Sequence, residues 1–303
     1  MNQIIKIILL SLSTLFGIAG IAAFVIIVRN ASYHFNETHI IDPELASNFG
    51  GFIGGLIGTI LSISSVFLLI YTILHQNRET QKTALETNFF RMIDYHNQNV
   101  NQLKIPHLEL TKKDDISEGR RAFVQFKIQI HRLFKIVREI DKVKQYQLTE
   151  EQIADITYIV FYYGIDGSWV NFIEAKLERY KHKELAKEIQ SSINSNPTLK
   201  IGRPNQTNLS AYFRNMYNAI KLVSDSKFLT ETEKKDLIKI YRAQLSNPEL
   251  YVLFFNILSR FGRKWKERKY ITTYELLKNI PHNYCDDYIP SNYFPMRYED
   301  DEY

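Results

Sequence analysis

Apolar positions are not spread evenly along this chain. Residues 4–28 form a run of 25 whose only charged side chain is Lys6, and residues 49–74 carry no charge at all. At about 1.5 Å per helical residue the first run reaches roughly 37 Å, enough to cross a hydrocarbon layer about 30 Å thick with some tilt. Soluble helices seldom lack a polar face for so long. Beyond His75 no charge-free apolar stretch of that length recurs. The pattern predicts an all-α protein. Two transmembrane helices, spans 4–28 and 49–74, make an anchor over residues 1–75. An irregular cytoplasmic helical bundle follows over 76–285, and an acidic C-terminal tail over 286–303. A signal peptide is the alternative for the first run, which has a basic start and small residues at Ala19, Gly20, Ala22 and Ala23. A signal core usually spans about 7–15 residues, whereas here the apolar run continues through Phe24-Val25-Ile26-Ile27-Val28.

Beyond the anchor the periodicity is helical almost throughout. Residues 77–103 continue from the second span, with Leu85, Phe89, Phe90 and Ile93 on the apolar side. Residues 116–144 give the clearest amphipathic pattern, with Phe123, Phe126, Ile130, Leu133, Val137 and Ile140 at three- and four-residue steps. The opposite side of that helix carries Lys127, His131, Lys135, Arg138 and Lys142. Thr149 with Gln152 predicts a capping box for a helix to residue 162, which Gly164 and Gly167 end. Further helices are expected over 169–192, 209–223, 231–245 (capped by Thr230 with Glu233), 250–261 and 270–279. Asn247, Pro248 and Glu249 read as cap, first-turn proline and an acid favoured by the helix dipole. Strand-like alternation is weak everywhere.

Charge then orients the picture. The 303 residues hold 38 Lys plus Arg against 33 Asp plus Glu, a net +5. The link over 29–48 has Arg29 against Glu37, Asp42 and Glu44, while Lys6 precedes the first span and Arg78, Lys82 and Arg91 follow the second. Positive-inside bias places both termini in the cytoplasm and the acidic link outside. The single cysteine, Cys285, excludes an internal disulfide and a CxxC site, and suits a reducing compartment. Setting aside the two basic and three acidic residues before His75 leaves 36 against 30. The tail holds Asp286, Asp287, Glu299, Asp300, Asp301 and Glu302 with only Arg297, so without it the body stands at 35 against 24. A basic body with an acidic end predicts anionic partners and a tail able to mask basic surface. The densest basic stretch is Arg260, Arg263, Lys264, Lys266, Arg268 and Lys269 around Trp265. With Lys127, Lys135 and Arg138 it forms a candidate surface for anionic lipid headgroups or a nucleic-acid backbone, the plainer reading being a solvated connector.

Candidate chemistry is sparse. Gly50, Gly51, Gly54, Gly55 and Gly58 fall at four-residue intervals, leaving one face of the second span bare for close helix approach. Two readings stay open: this face receives the first span, with its Gly17 and Gly20, or it joins several copies in the bilayer. No Walker A, GxSxG, GxGxxG or HExxH pattern occurs. No enzyme activity, cofactor or metal ion is therefore expected. One pattern could still carry chemistry, Arg91 with His96 on one helix. It resembles the Arg-x4-to-6-His motif of helical HEPN-type ribonucleases, where the His works on the 2′-hydroxyl proton and the Arg on phosphate charge. That motif usually has a polar residue after the Arg, and Met92 stands here; the plain reading is a solvated juxtamembrane helix.

Several stretches, in order, resemble the phage abortive infection proteins of the AbiC-like family. They are Phe49-Gly50-Gly51-Phe52-Ile53-Gly54-Gly55, Leu68-Leu69-Ile70-Tyr71-Thr72 with Gln76, Asn88-Phe89-Phe90 with His96-Asn97, and Gly119-Arg120-Arg121-Ala122-Phe123. Phe161-Tyr162-Tyr163-Gly164 and Tyr212-Phe213-Arg214-Asn215-Met216-Tyr217 follow. The most specific is Tyr241-Arg242-Ala243-Gln244-Leu245-Ser246, running into Glu249-Leu250 and Phe254-Phe255-Asn256. The family positions singled out are Gly119, Arg120, Arg214, Arg242, Gln244, Ser246 and Asn256. The resemblance implies a bacterial inner-membrane effector of antiphage defence that acts by abortive infection. It also implies kinship with two-span effectors of retron systems, which disturb the inner membrane once a sensing partner, such as a reverse transcriptase with its RNA/DNA, is perturbed. The family supplies no catalytic residues to carry over.

Overall fold

A computed structural model describes residues 3–30, 43–108, 116–167 and 169–302. The acidic link expected between the spans falls, over 31–42, outside the described residues. The chain divides into two compact units, Met1–Ala84 and Leu85–Tyr303.

In the first unit α1 (Gln3–Asn30) is one uninterrupted helix. α2 (Pro43–Phe52), a π-helical turn at Ile53–Ile57 and α3 (Gly58–Asn101) make a second continuous rod that runs on into the other unit. Both rods are long and apolar enough to cross a membrane. A helix satisfies its backbone polar groups internally, which is what lets such a segment enter hydrocarbon. α1 meets α3 through small groups. The Ser13 hydroxyl donates to the Ser64 carbonyl at 3.0 Å, the Ser64 hydroxyl returns to the Ser13 carbonyl at 2.7 Å, and Phe16 stacks on Phe67. Gly17 and Gly20 belong to this contact, since a Cβ on Gly20 would stand 2.8 Å from the Leu61 side chain. Elsewhere the apolar side chains are uncovered: Leu15 is 63% exposed, Ile18 67% and Leu69 58%. A core helix of a soluble protein would bury these residues.

The second unit opens on the last turns of α3, where Phe89, Ile93, His96 and Val100 are buried. A short antiparallel ribbon follows, β1 (Lys104–Pro106) with β2 (Ile116–Glu118), placing Ile105 opposite Ser117. The expected helix over 116–144 therefore starts late, as α4 (Arg121–Lys144), once Gly119 has turned the chain at φ +58°. Three-residue strands are too short to show a period of two. α5 (Glu150–Tyr163) has the predicted capping box, with the Gln152 amide nitrogen on the Thr149 hydroxyl and the Gln152 side chain on the Thr149 N–H. It stops at Gly164, where φ is +75° and a Cβ would lie 2.7 Å from the Pro204 nitrogen. Only glycine fits that crossing.

The helix expected over 169–192 is two, α6 (Trp169–Leu177) and α7 (Leu185–Asn194), broken at left-handed Lys181. There the Tyr180 phenol turns inward to donate to Asp155. α8 (Gln206–Ser224) and α9 (Glu231–Arg242) follow, the latter with the Thr230–Glu233 box. α10 (Asn247–Leu258) starts and ends three residues before the expected 250–261, and Ser246 rather than Asn247 is its cap. α10 and α5 are buried on nearly all sides and pack against each other and α4 at the centre of the core. α11 (Arg263–Glu267) and α12 (Tyr270–Thr273) are short. The helix expected over 270–279 ends early, as Glu275 adopts φ +50° and its carbonyl accepts from the Arg242 guanidinium at 3.0 Å. α13 (Pro290–Tyr293) lies in the C-terminal segment, whose Tyr288, Phe294 and Tyr298 are buried in the core.

Candidate functional site

Three places carry the residues singled out from the sequence. The first is the glycine-rich part of the anchor. Gly50 and Gly51 lie in α2, Gly54 and Gly55 in the π turn, and Gly58 opens α3. The π turn widens the helix where the four-residue spacing implied a regular α-helix; such turns recur at functional sites. A Cβ built on any of these five glycines meets nothing within 4 Å. The first span is received instead through Gly17 and Gly20. Among the described residues the glycine face is thus bare.

The second place is a buried polar cluster at the heart of the second unit. Glu249, in the first turn of α10, is wholly buried. Its Oε2 accepts from the Ser246 N–H at 2.9 Å and the Ser246 hydroxyl at 2.6 Å, with the Arg120 Nε 3.9 Å away. Its Oε1 lies 3.5 Å from His96 Nε2 and 3.4 Å from the Tyr212 hydroxyl. At 3.5 Å the imidazole contact is too long for a well-formed hydrogen bond, so Nε2 is left without such a partner. His96 Nδ1 meets the Tyr241 hydroxyl at 3.0 Å, and its ring packs on Tyr212. Arg120 also donates to the Gln244 carbonyl at 2.9 Å. Burial pushes the Glu249 pKa up, yet the contacts from His96 and Ser246 outweigh it and hold the carboxyl below its ordinary value of 4.5. Burial, with the nearby carboxylate, drives the Tyr212 and Tyr241 phenols well above theirs.

This cluster gathers residues from α3, α8, α9 and α10, and three of the family positions, Arg120, Gln244 and Ser246, converge on it. Its carboxylate, imidazole and two phenols are buried, Arg120 is its exposed member, and none of these side chains lines the cavities of about 610, 570 and 420 Å³ that open on the unit. Its chemistry is that of a charged clamp between helices. His96 is wholly buried here while Arg91 is exposed, so the structure does not bring the two together for ribonuclease chemistry. Five residues along an α-helix turn the side chains well away from one another. The remaining family positions act singly. Gly119 makes its turn, Arg242 holds the Glu275 carbonyl, Asn256 donates to the Tyr158 hydroxyl at 2.9 Å, and Arg214 bonds back to Ser210. Tyr212 and Tyr241 were legible only as members of the family stretches, and Glu249 as one of those and as a helix-start acid.

The third place is the basic surface. On α4, Lys127 lies over the Tyr284 ring at 3.3 Å, and burial pulls its ammonium pKa down. His131 meets Asp286 at 2.8 Å, and Arg138 is clamped by Asp287 and by Glu150 at 2.9 Å. Lys135 is exposed. Around α11, Arg260 is drawn onto Asp155, Lys266 donates to the Leu258 carbonyl, and Arg263 and Arg268 pair with Glu267 and Asp225. Lys264 is exposed, and Trp265, 3% exposed, anchors the turn. Much of the stripe read as free positive surface is thus engaged, partly by the acidic segment itself. Among the described residues no group of His, Cys, Asp or Glu side chains is placed to hold a metal ion.

Residues 205–284 match a family model described as Putative phage abortive infection protein. The AbiC-like resemblance holds over this segment, which runs from the start of α8 past α12 and supplies Tyr212, Tyr241, Ser246 and Glu249 of the buried cluster. No curated protein and no solved structure matches the chain. The matched segment thus supplies Tyr212, Tyr241, Ser246 and Glu249 of the clamp, while His96 and Arg120 reach it from outside the matched residues.

Proposed function

We propose that the protein is a membrane-anchored effector of bacterial antiphage defence. It sits in the inner membrane with both termini in the cytoplasm, and acts by disturbing membrane integrity when triggered. One observation carries the reading: an abortive infection segment is joined to an anchor whose glycine face is bare, with nothing within 4 Å of any added Cβ. In a bilayer, association draws on close backbone approach and small residues, so several copies can meet through that face. The helical body holds the anchor inactive, and a sensing partner, such as a reverse transcriptase with its nucleic acid, releases it. The flanking charges support the orientation, since Lys6, Arg78, Lys82 and Arg91 lie on the terminal sides of the two spans and the link has Arg29 against three acids.

The test is infection of cells expressing the protein with its neighbouring genes, while dye entry and membrane potential are followed. Depolarisation before lysis is expected for the native chain. Gly54→Leu with Gly55→Leu should remove both depolarisation and protection while leaving the amount of protein in the membrane unchanged. An intact potential during growth arrest, or full protection by the double variant, would overturn the reading.

A further inference from the structure

A second feature of the body lies away from the buried clamp. Between α8 and the α10–α11 turn opens a cleft of about 570 Å³. That volume falls within the roughly 300–1,000 Å³ usual for small-molecule sites. Its lining contains two cations, Arg214 and Lys264, and no carboxylate. Among the described residues neither cation is paired with an acid, unlike Arg260, Arg263 and Arg268 nearby. Arg214 is nonetheless held in place. Its Nε donates to the Ser210 carbonyl at 3.1 Å and its terminal nitrogen to the Ser210 hydroxyl at 3.2 Å. A guanidinium fixed on one side by neutral acceptors keeps its other donors for an anion.

Aromatic rings supply the rest of the cleft. Trp265 meets Tyr217 edge-on with centroids 5.2 Å apart, and Phe261 packs on Tyr162 at 4.7 Å. Trp265 and Tyr162 are buried, and the half-buried Tyr217 and Phe261 pack against them to complete the wall. Two unpaired cations beside a preformed aromatic wall suit a ligand with a phosphate at one end and a flat ring at the other. A lone phosphate would leave the wall unused, and a lone ring would leave the cations uncompensated. We infer that this cleft binds a mononucleotide, with its phosphate on Arg214 and Lys264 and its base against the aromatic wall. With no carboxylate in the lining, the cations of the cleft meet the phosphate directly, and binding is expected without magnesium. The cleft lies wholly within the second unit, so it stands independently of the membrane reading.

The test uses the full chain in detergent with Trp169→Phe, which leaves Trp265 as the one tryptophan of the two in the sequence. Adenosine and guanosine 5′-monophosphate are titrated against its emission without magnesium, beside adenosine, inorganic phosphate and a single-stranded 20-mer. A saturable change is expected with at least one mononucleotide. Adenosine and phosphate alone should bind about tenfold more weakly or worse, each losing one set of contacts. Arg214→Gln and Lys264→Gln should each weaken the mononucleotide by about five- to tenfold with the unfolding temperature unchanged, because both side chains are exposed. Inorganic phosphate binding as tightly as the nucleotides, binding of the 20-mer alone, equal binding by both variants, or no binding up to about 10 mM, weaker than any specific site of this size, would each overturn the inference.

Discussion

Glu249 sits where removing a charge has the clearest consequence. Its carboxylate is wholly buried, and it faces His96, Ser246, Tyr212 and Arg120 at once. Breaking such a buried group of partners leaves the others uncompensated, so Glu249→Gln should destabilise the body by about 3 kcal/mol at neutral pH. The sign with pH follows from the direction of its shift. Because the folded carboxyl titrates below its ordinary 4.5, its contribution is present above that value and lost as pH falls through the lower folded value. The difference in unfolding temperature between native chain and variant should therefore be widest well above pH 4.5 and close as the pH is lowered past that value. A gap that did not narrow would mean the charge itself contributes nothing.

At the scale of elements, close approaches decide which substitutions matter. Where α10 gives way to α11, a Cβ on Gly262 would stand 2.0 Å from the Ile257 carbonyl oxygen, and that atom is backbone with nowhere to move. Gly262→Ala should cost roughly 1–3 kcal/mol or more through overpacking, read as a fall in thermal unfolding temperature. The same change at Gly54, where nothing lies within 4 Å, should leave that temperature unchanged. The sequence foretold the long amphipathic helices well, because Phe123 to Ile140 and the Thr149 and Thr230 boxes are local signals that tertiary packing did not override. It missed what depends on distant partners. Lys181 breaks a helix because Tyr180 reaches for Asp155, and the helix after Tyr270 stops where Arg242 claims the Glu275 carbonyl. The buried clamp was invisible for the same reason, as His96 and Glu249 stand 153 residues apart and no short spacing joins them. The short ribbon failed by size, its strands holding three residues each.

On the scale of the whole chain, the division between Ala84 and Leu85 separates an anchor from a body with its own core. A fragment starting at Leu85 should therefore remain in the supernatant after ultracentrifugation of a detergent-free lysate, with helical circular dichroism, whereas the full chain should sediment with the membranes. A fragment that sediments or lacks helicity would show that the body depends on the anchor. The C-terminal segment adds a constraint of timing. Its Tyr288 and Tyr298 fill the core, and its Asp286 and Asp287 grip His131 and Arg138 of α4. On the ribosome these residues emerge after everything they stabilise. At about 5–20 residues per second, the interval from the end of the second apolar run at Leu74 to Tyr298 is roughly ten to forty-five seconds. Through that interval the nascent chain has its greasy helices available to the insertion machinery while the domain behind them is still without its closing piece.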